Sequence, residues 1–197
     1  MVYQSGFNAN NTLLVGAPDK EVTTYSAVLI FVWSLDGVVI DIDRENSTLF
    51  KLDGNTTFSA PDNVIRFGKT NVWTYWVIQN QFQITHPMHI HSHDFSLLGQ
   101  GSGTFSAANN PADLNFSNPT RRDTAMLIEN GRTVIAFQTD NHGSWLLHCH
   151  IGWHVGGELS LQFIERESDI LGTLKIGEDL KNTCDAFAAY DKTAQKE

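Results

Sequence analysis

The sequence has little positive charge, no long apolar run and only two cysteines. Lysine and arginine total 13 against 22 aspartates and glutamates, the formal net charge is −9, and no basic block occurs. This balance argues against nucleic acid and an anionic membrane surface as partners. No apolar run approaches the length of a membrane span. The N-terminus lacks the charged start and apolar core of a signal peptide.

The size and composition suit one domain, or one domain with an incomplete neighbour. Apolar residues make up 41% of the 197 residues, enough to bury a core. Asn-x-Ser/Thr triplets are rarer features with a chemical meaning, since they accept N-linked glycans in secreted proteins. Four of them lie in polar segments and favour a secreted, extracellular glycoprotein: Asn10, Asn46, Asn55 and Asn115.

Short segments rich in β-branched and aromatic residues recur along the chain between turn residues. They predict strands at 27–33, 38–42, 71–79, 95–99, 124–128, 133–138, 144–148 and 159–164. We expect 27–33 to form a hairpin with 38–42, and 124–128 to form one with 133–138. Helical periodicity is clear only over 178–190. The fold class is therefore all-β, a sandwich or barrel with a short C-terminal helix.

The same pass along the chain suggests three parts. Residues 1–25 are polar and are expected to be a linker or the end of a preceding domain. Residues 26–175 hold the predicted strands, and residues 176–197 form a helical tail. Neither an internal repeat nor a low-complexity segment interrupts this division.

Histidine is concentrated in two stretches. The first is His86-Pro-Met-His-Ile-His-Ser-His-Asp-Phe95, and the second is Trp145-Leu-Leu-His-Cys-His-Ile-Gly-Trp-His154. Only His142 lies outside them. Cysteine thiolate and neutral imidazole together are the ligands that copper prefers, so the two stretches predict copper binding.

Strand parity divides the histidines into two sets, because successive side chains on a strand point to opposite faces. In an extended segment, His148 and His150 face one way and Cys149 the other. The first stretch places His89 and His91 on one face and His86 out of phase with them. Two metal sites should therefore lie on opposite sides of one strand.

The Cys149 side has the ligand set of a blue-copper site. His86, Cys149 and His154 supply two imidazoles and a thiolate. Ten residues after the cysteine, where an axial methionine could stand, is Leu159, which cannot coordinate. We expect a three-coordinate copper with a raised reduction potential. An internal disulfide from Cys149 to Cys184 would remove this thiolate.

The other side offers four imidazoles in two His-x-His pairs: His89, His91, His148 and His150. Four imidazoles cannot fill a multicopper cluster, so they predict half of a site. A zinc site would use only four ligands. A single-domain blue-copper carrier would need only three of the seven and would leave both pairs unexplained.

These motifs resemble the two C-terminal copper signatures of multicopper oxidases, and they are closest to those of ascomycete fungal laccases. Asn118-Pro-Thr-Arg-Arg-Asp-Thr124 and Phe137-Gln-Thr-Asp-Asn-His-Gly-Ser-Trp145 are also laccase-like, and the resemblance extends from about Ala27 to the tail. It implies a third, C-terminal domain with a cupredoxin-like Greek-key fold. One departure is Ser92, which stands where the family usually has glycine.

The resemblance also implies individual roles. The type 1 copper would be bound by His86, Cys149 and His154, with Leu159 in the non-coordinating axial position. The type 2 copper would be bound by His89, and the type 3 pair by His91, His148 and His150. His93 matches a position that is not a ligand and is expected to hydrogen-bond behind the site. No metal role is implied for His142.

The implied activity is that of a laccase, which oxidises phenolic donors one electron at a time and reduces dioxygen to water. Electrons would pass from the copper near His154 through Cys149 to His148 and His150. The family's N-terminal domain supplies the remaining cluster ligands and pairs with a tail cysteine, here Cys184. The alternatives are a copper-binding module without oxidase activity, or a ferroxidase or bilirubin oxidase, for which Glu158 is the acidic residue beside the axial position.

Overall fold

The computed structural model describes residues 33–54, 57–106, 108–175 and 177–194, without the side chain of Pro111, and the backbone of three strands before them. Those strands are β1 (Thr12–Gly16), β2 (Val22–Thr24) and β3 (Val28–Ile30). The others are β4 (Ser34–Leu35), β5 (Val64–Phe67), β6 (Trp73–Asn80), β7 (His86–Ile90), β8 (Phe95–Ser102), β9 (Thr120–Arg122), β10 (Thr124–Leu127), β11 (Gly131–Gln138), β12 (Gly143–Cys149) and β13 (Ser160–Glu165).

The helices are short except for the last. They are α1 (Thr48–Asp53), α2 (Gly152–Gly156), α3 (Glu167–Thr173) and α4 (Glu178–Ala194). Single 3₁₀ turns lie at Ala60–Asp62 and Asn110–Asp113. In the described part of the chain no helix is both long and apolar enough to cross a membrane.

The strands form two larger sheets and one small hairpin. The six-stranded sheet has the order β4-β1-β6-β11-β8-β9, and the five-stranded sheet has the order β10-β7-β12-β13-β5. Most neighbours are antiparallel, and β1 with β6 and β13 with β5 are the parallel pairs among the described strands. Strands β2 and β3 pair with each other. The all-β prediction with a C-terminal helix is confirmed.

The core lies between the two larger sheets. Its buried side chains come from both, for example Trp76, Ile135 and Phe137 from one sheet and Ile90 and Phe163 from the other. Apolar area removed from water on both inner faces is what holds a β-sandwich together. Cys149 and Leu159 belong to this core cluster, so one end of it continues into the histidine region.

The outer faces of both sheets are also covered. Strand β6 is buried over most of its length rather than at alternate residues, because Phe105, Leu114 and Phe116 from the long loop pack on its outer side. On the smaller sheet, helices α1 and α3 cover Ile164 with Leu52 and Ile170. A strand covered on both faces reads as a continuous apolar run, as β6 does in the sequence.

Both predicted hairpins are wrong. Strand β3 pairs with β2, and residues 38–42 contribute only an isolated bridge between Leu35 and Val38. Strands β10 and β11 follow each other around an Asn130-Gly131 turn, but β10 pairs with β7 and β11 with β6 and β8. The chain crosses from one sheet to the other at that turn, which local turn chemistry cannot reveal.

The predicted division at residue 25 does not coincide with the edge of the sheet. Strand β1 lies within residues 1–25, yet it pairs with β4 and with β6 of the larger sheet. The helical tail is found as α4, where Cys184 is buried and Leu180 is 39% exposed. The short helices α1, α2 and α3 were not predicted, because none is long enough to show a periodic apolar face.

Candidate metal centres

The two histidine stretches meet because β7 and β12 are neighbouring antiparallel strands. His148 lies opposite His89, and Cys149 lies opposite Met88. Residues directly opposite each other in a ladder place their side chains on the same face. The pairing therefore puts His148 with His89 on one face and the Cys149 thiol on the other, as strand parity predicts.

The first trio consists of His86, Cys149 and His154. The Cys149 Sγ lies 3.7 Å from His86 Nδ1 and 3.6 Å from His154 Nδ1, and the two Nδ1 atoms lie 3.0 Å apart. His86 and Cys149 are fully buried, and His154 is partly buried. Three soft or borderline donors converge on one small space, which is the arrangement a copper ion requires.

Backbone hydrogen bonds fix this trio. His154 lies on helix α2, whose single turn brings it back toward the strand end that carries Cys149. The Cys149 N–H donates to Leu159 O, and the Leu159 N–H donates to His154 O, each at 3.0 Å. Leu159 is fully buried in the same cluster as Cys149. The apolar residue predicted for the axial position thus joins two of the three proposed ligands.

The protonation states of the first trio suit a cation. Burial, and then the neighbouring His154, lower the pKa of His86 to about 4, and burial lowers the pKa of His154. Burial raises the pKa of the Cys149 thiol, and the Ile151 N–H, which donates to Sγ at 3.5 Å, partly opposes that shift. The histidines are therefore neutral and able to coordinate at pH 7. Metal binding would displace the thiol proton, since the thiolate is the ligand form.

Trp33 packs against both histidines of the first trio. Its ring centroid lies 4.5 Å from that of His154 and 5.1 Å from that of His86. The backbone N–H of Trp33 also donates to Gly157 O at 2.6 Å, just past helix α2. This tryptophan was not predicted, because it lies more than fifty residues before the nearest histidine in the sequence.

The second trio consists of His89, His91 and His148. One ring nitrogen of each lies within 4.8 Å of the others. His91 Nε2 and His148 Nε2 are 3.0 Å apart. Burial, followed by the charges of neighbouring histidines, lowers the pKa of His91, and burial also lowers that of His148. Neutral imidazoles directed at each other with lone pairs are ready to share a metal.

The Nδ1 atoms of His89 and His148 have oxygen partners. His89 Nδ1 lies 2.9 Å from Asp123 O and 3.1 Å from Thr124 Oγ1. His148 Nδ1 lies 2.9 Å from Cys149 O. A carbonyl can only accept, so each Nδ1 donates its proton and each Nε2 keeps the lone pair that coordinates a metal. Asp123, whose carbonyl accepts this bond, belongs to the Asn118–Thr124 motif, for which no role was predicted from the sequence.

His150 lies at the rim of the second trio. Its ring centroid is 5.7 Å from that of His89 and 5.8 Å from that of His148, and its side chain is exposed. It is thus on the predicted side of the strand. A cavity of about 1330 Å³ opens on the His89 side, with Ser92, Asp94, Asn118 and Asp123 among the residues that line it.

The remaining candidates lie outside both trios. His93 Nε2 is 2.9 Å from Glu165 Oε2, behind the second trio, and His142 Nε2 is 3.2 Å from Thr173 Oγ1. Ser92 has a φ of +60°, a left-handed conformation that explains why glycine suits this position. Cys184 and Cys149 are both free thiols, so they are not joined to each other.

Comparisons with known proteins identify the family of this chain. Residues 36–169 match the model of the multicopper oxidase family. The laccase of Neurospora crassa is 43% identical over 81% of this chain and 28% of its own length. Laccase-2 of Podospora anserina is 40% identical over 94% of this chain and 32% of its own length.

A solved laccase structure has a similar fold over most of this chain. The laccase from Botrytis aclada superposes with a TM-score of 0.77 at 35% identity, over 91% of this chain and 32% of that one. The cupredoxin-like fold is therefore confirmed, and copper is the cofactor that the family implies. The chain spans about a third of the length of the curated relatives it matches. By both its sequence and its fold, this chain belongs to the multicopper oxidase family.

Proposed function

We propose that this chain is the part of a laccase-like oxidase that receives electrons from phenolic donors and delivers them toward dioxygen. One observation carries the proposal. Cys149 lies with His86 and His154, while the residue before it, His148, lies with His89 and His91. A single strand therefore joins two sets of copper ligands through one peptide bond.

We assign the first trio to the type 1 copper. His89 is assigned to the type 2 copper, and the type 3 pair takes His91, His148 and His150. Leu159, fully buried beside Cys149, occupies the axial position without coordinating. The donor sets support this assignment, because a thiolate with two imidazoles favours a redox-active copper and imidazoles alone suit the oxygen-reducing coppers. Copper, when bound, supplies one-electron oxidation of the donor and the reduction of dioxygen to water.

The chain's own residues organise the donor end. His154 is the least enclosed member of the first trio, since His86 and Cys149 are fully buried. Trp153, adjacent to it on helix α2, is 90% exposed. An exposed indole beside the edge of a histidine ligand offers an aromatic surface on which a phenolic ring can stack. A small aromatic donor therefore fits this end better than a peptide or nucleotide does.

The connection between the two sets is short and rigid. The Cys149 thiol and the His148 imidazole belong to consecutive residues, and His148 Nδ1 also donates to Cys149 O at 2.9 Å. Electrons thus have a covalent path and a hydrogen-bonded path from one set to the other. Strand β12 is paired on both sides, with β7 and β13, which keeps these paths in one geometry.

The second set requires ligands from elsewhere. Its imidazoles line an open face, and by family likeness the N-terminal cupredoxin domains of the same polypeptide supply the other half of the cluster. Cys184 is buried on α4 with a free thiol and is the candidate for a disulfide with such a domain. We further propose residues 26–175, extended by β1, as one cupredoxin domain, and 176–197 as a tail.

We also propose secretion and glycosylation. Asn46 and Asn115 are exposed, as glycan acceptors must be, while Asn10 and Asn55 lie outside the described residues. A ferroxidase is less well supported, because Glu158 is the one acidic residue beside the axial position. Burial and the neighbouring Asp41 raise its pKa, with Arg44 opposing, so this carboxyl loses its negative charge at a less acidic pH than a free glutamate does.

The experiment is copper loading of the purified chain, followed by metal analysis and an absorption spectrum. One copper with intense blue thiolate absorption is expected from the first trio, with further copper bound by histidine alone. Binding of copper without blue colour would contradict the type 1 assignment. Oxidation of a phenol coupled to oxygen uptake, measured in a polypeptide that carries both halves of the cluster, then tests the oxidase activity.

A further inference from the structure

A buried carboxylate behind the second trio has no part in the proposed reaction. Glu165, the last residue of β13, is fully buried, and its Oε2 lies 2.9 Å from His93 Nε2. This is a close contact rather than an aligned hydrogen bond, and neither atom has another hydrogen-bond partner among the described residues. Burying a carboxylate costs free energy unless the group is hydrogen-bonded or paired with an opposite charge.

Glu165 holds two segments that come together at this point. Its Oε1 accepts the Asn141 N–H at 2.7 Å. The Asn141 side chain in turn donates to Ser92 O at 3.2 Å. The His93 ring packs on Phe137, with centroids 4.9 Å apart. Both His93 and the carbonyl of Ser92 are therefore tied, directly or through Asn141, to one carboxylate.

The tied segment is the turn that follows the ligand His91. His91 ends the copper-facing part of the chain, Ser92 turns it with a left-handed φ of +60°, and His93 enters the core. A left-handed serine is held in place only when its surroundings over-determine it. On the exposed side, Arg121 adds a hydrogen bond to Asp94 O at 3.1 Å. The buried contacts that hold this turn are those of Glu165 with Asn141 and His93.

The tie is far from the first trio. Along β13, Glu165 pairs with Gly143 at one end. At the other end Ser160 pairs with His148, the residue just before Cys149 of the first trio. Five residues of extended strand separate the two ends by about 17 Å. A change at Glu165 should therefore reach the His91 turn before it reaches Cys149 or His154.

We propose that Glu165 is a positioning residue for the second trio, acting through His93 and Asn141 to set the turn that directs His91 toward His148. The inference rests on the proposed function, because it concerns the histidine-bound copper of that site. A preorganised ligand binds a metal more tightly than one whose backbone must be ordered on binding.

The test is a copper(II) titration of the full chain in four forms: wild type, E165L, E165Q and I164A. Blue absorption reports copper at the first trio, and electron paramagnetic resonance with nitrogen hyperfine structure reports histidine-bound copper at the second. We expect E165L to weaken the histidine-bound class about tenfold, the lower end of effects seen for residues behind metal ligands, and to leave the blue class unchanged. E165Q keeps the size and an oxygen acceptor for Asn141, so it should restore binding.

Ile164→Ala is the matched control. Ile164 is the neighbouring residue, fully buried, and packs with Leu52 and Ile170 on the opposite face of the sheet. It should lower the melting temperature and leave both copper classes unchanged. Wild-type binding of histidine-bound copper in E165L, or equal weakening of both classes in E165L and I164A, would overturn the proposal. Absence of blue colour in the wild type would instead overturn the proposed function.

Discussion

The two trios differ most in how far this chain encloses them. In the first, His86 and Cys149 have no exposed surface. In the second, all three histidines are only partly buried, and His150 beside them is exposed. The same strand carries a residue of each trio, so the difference does not come from the strand. Among the described residues, the first set of candidate ligands is largely enclosed by this chain, and the second set is left open.

The enclosure has identifiable causes. Helix α2 folds back over the end of β12 and brings His154 to the thiol, and Trp33 covers the two imidazoles. On the opposite face, among the described residues, His89 instead borders a cavity of about 1330 Å³. An enclosed site can tune a metal by excluding water, whereas an open one can accept further ligands.

The largest expected effect separates the two trios by chemistry. Replacing Cys149 with serine removes the one sulfur ligand of the two trios, so the blue absorption should vanish, while histidine-bound copper should remain because His148 stays on the other face. Absorption spectra and copper analysis of the loaded variant measure both. Blue colour in this variant would show that Cys149 is not the sulfur ligand, which would contradict the division of ligands between the two trios.

The matched control is the other cysteine. Cys184→Ser changes a thiol on α4, outside both trios, and should leave the blue absorption intact. Loss of colour in both variants would indicate that either substitution unfolds the chain, which circular dichroism would then detect.

A second effect uses the burial difference. Because the pKa of His86 falls from 6.5 to about 4 on folding, the unfolded chain binds its proton first as the pH falls. The copper-free chain should therefore lose stability between pH 6.5 and 4, by ~3 kcal/mol from His86 alone. Above pH 6.5 this contribution should be constant. Urea unfolding at a series of pH values measures it.

The lowered pKa values of His91, His148 and His154 act in the same direction. His86→Gln should remove much of the acid sensitivity. His142→Gln, outside both trios, should retain it. Equal pH slopes in these two variants would show that the buried trio is not the source.

The smallest effect concerns the backbone behind the open trio. Ser92 at φ +60° bears a left-handed cost of ~1–2 kcal/mol, and glycine would relieve it while gaining ~0.5–1 kcal/mol of freedom when unfolded. Ser92→Gly should therefore stabilise the chain by about 0.5 kcal/mol, measured by urea unfolding. Ser47→Gly is the control, since Ser47 has a φ of −59° and makes no capping hydrogen bond. It should be neutral or slightly destabilising, and the same sign in both variants would rule out relief of strain.

The division of ligands could be predicted because it depends on local geometry alone. Alternation along a strand places Cys149 opposite to its neighbours, whatever the rest of the fold does. The spacing of His86 from His89 and His91 acts in the same way. His154 is a different case, because its return to the thiol depends on helix α2, a single turn too short to leave a periodic signal.

The unpredicted features are long-range. Asn130 and Gly131 are a good turn signal, but a turn does not specify which sheet receives the next strand. The partners of the ligands are equally hidden, since Asp123 contacts His89 across 34 residues and Trp33 is still more distant from His86. Only tertiary packing brings such residues together, and the pattern of a single sequence does not reveal which distant residues will pack against each other.

The alternation in β12 restricts how this protein can change. Substitutions can alter either site independently, because each ligand belongs to one face. A single-residue insertion or deletion within 143–149 would instead turn every following side chain over, exchanging the thiol with an imidazole. Both sites would then be lost in one step. The length of this segment should therefore tolerate no variation, even where its non-ligand residues vary freely.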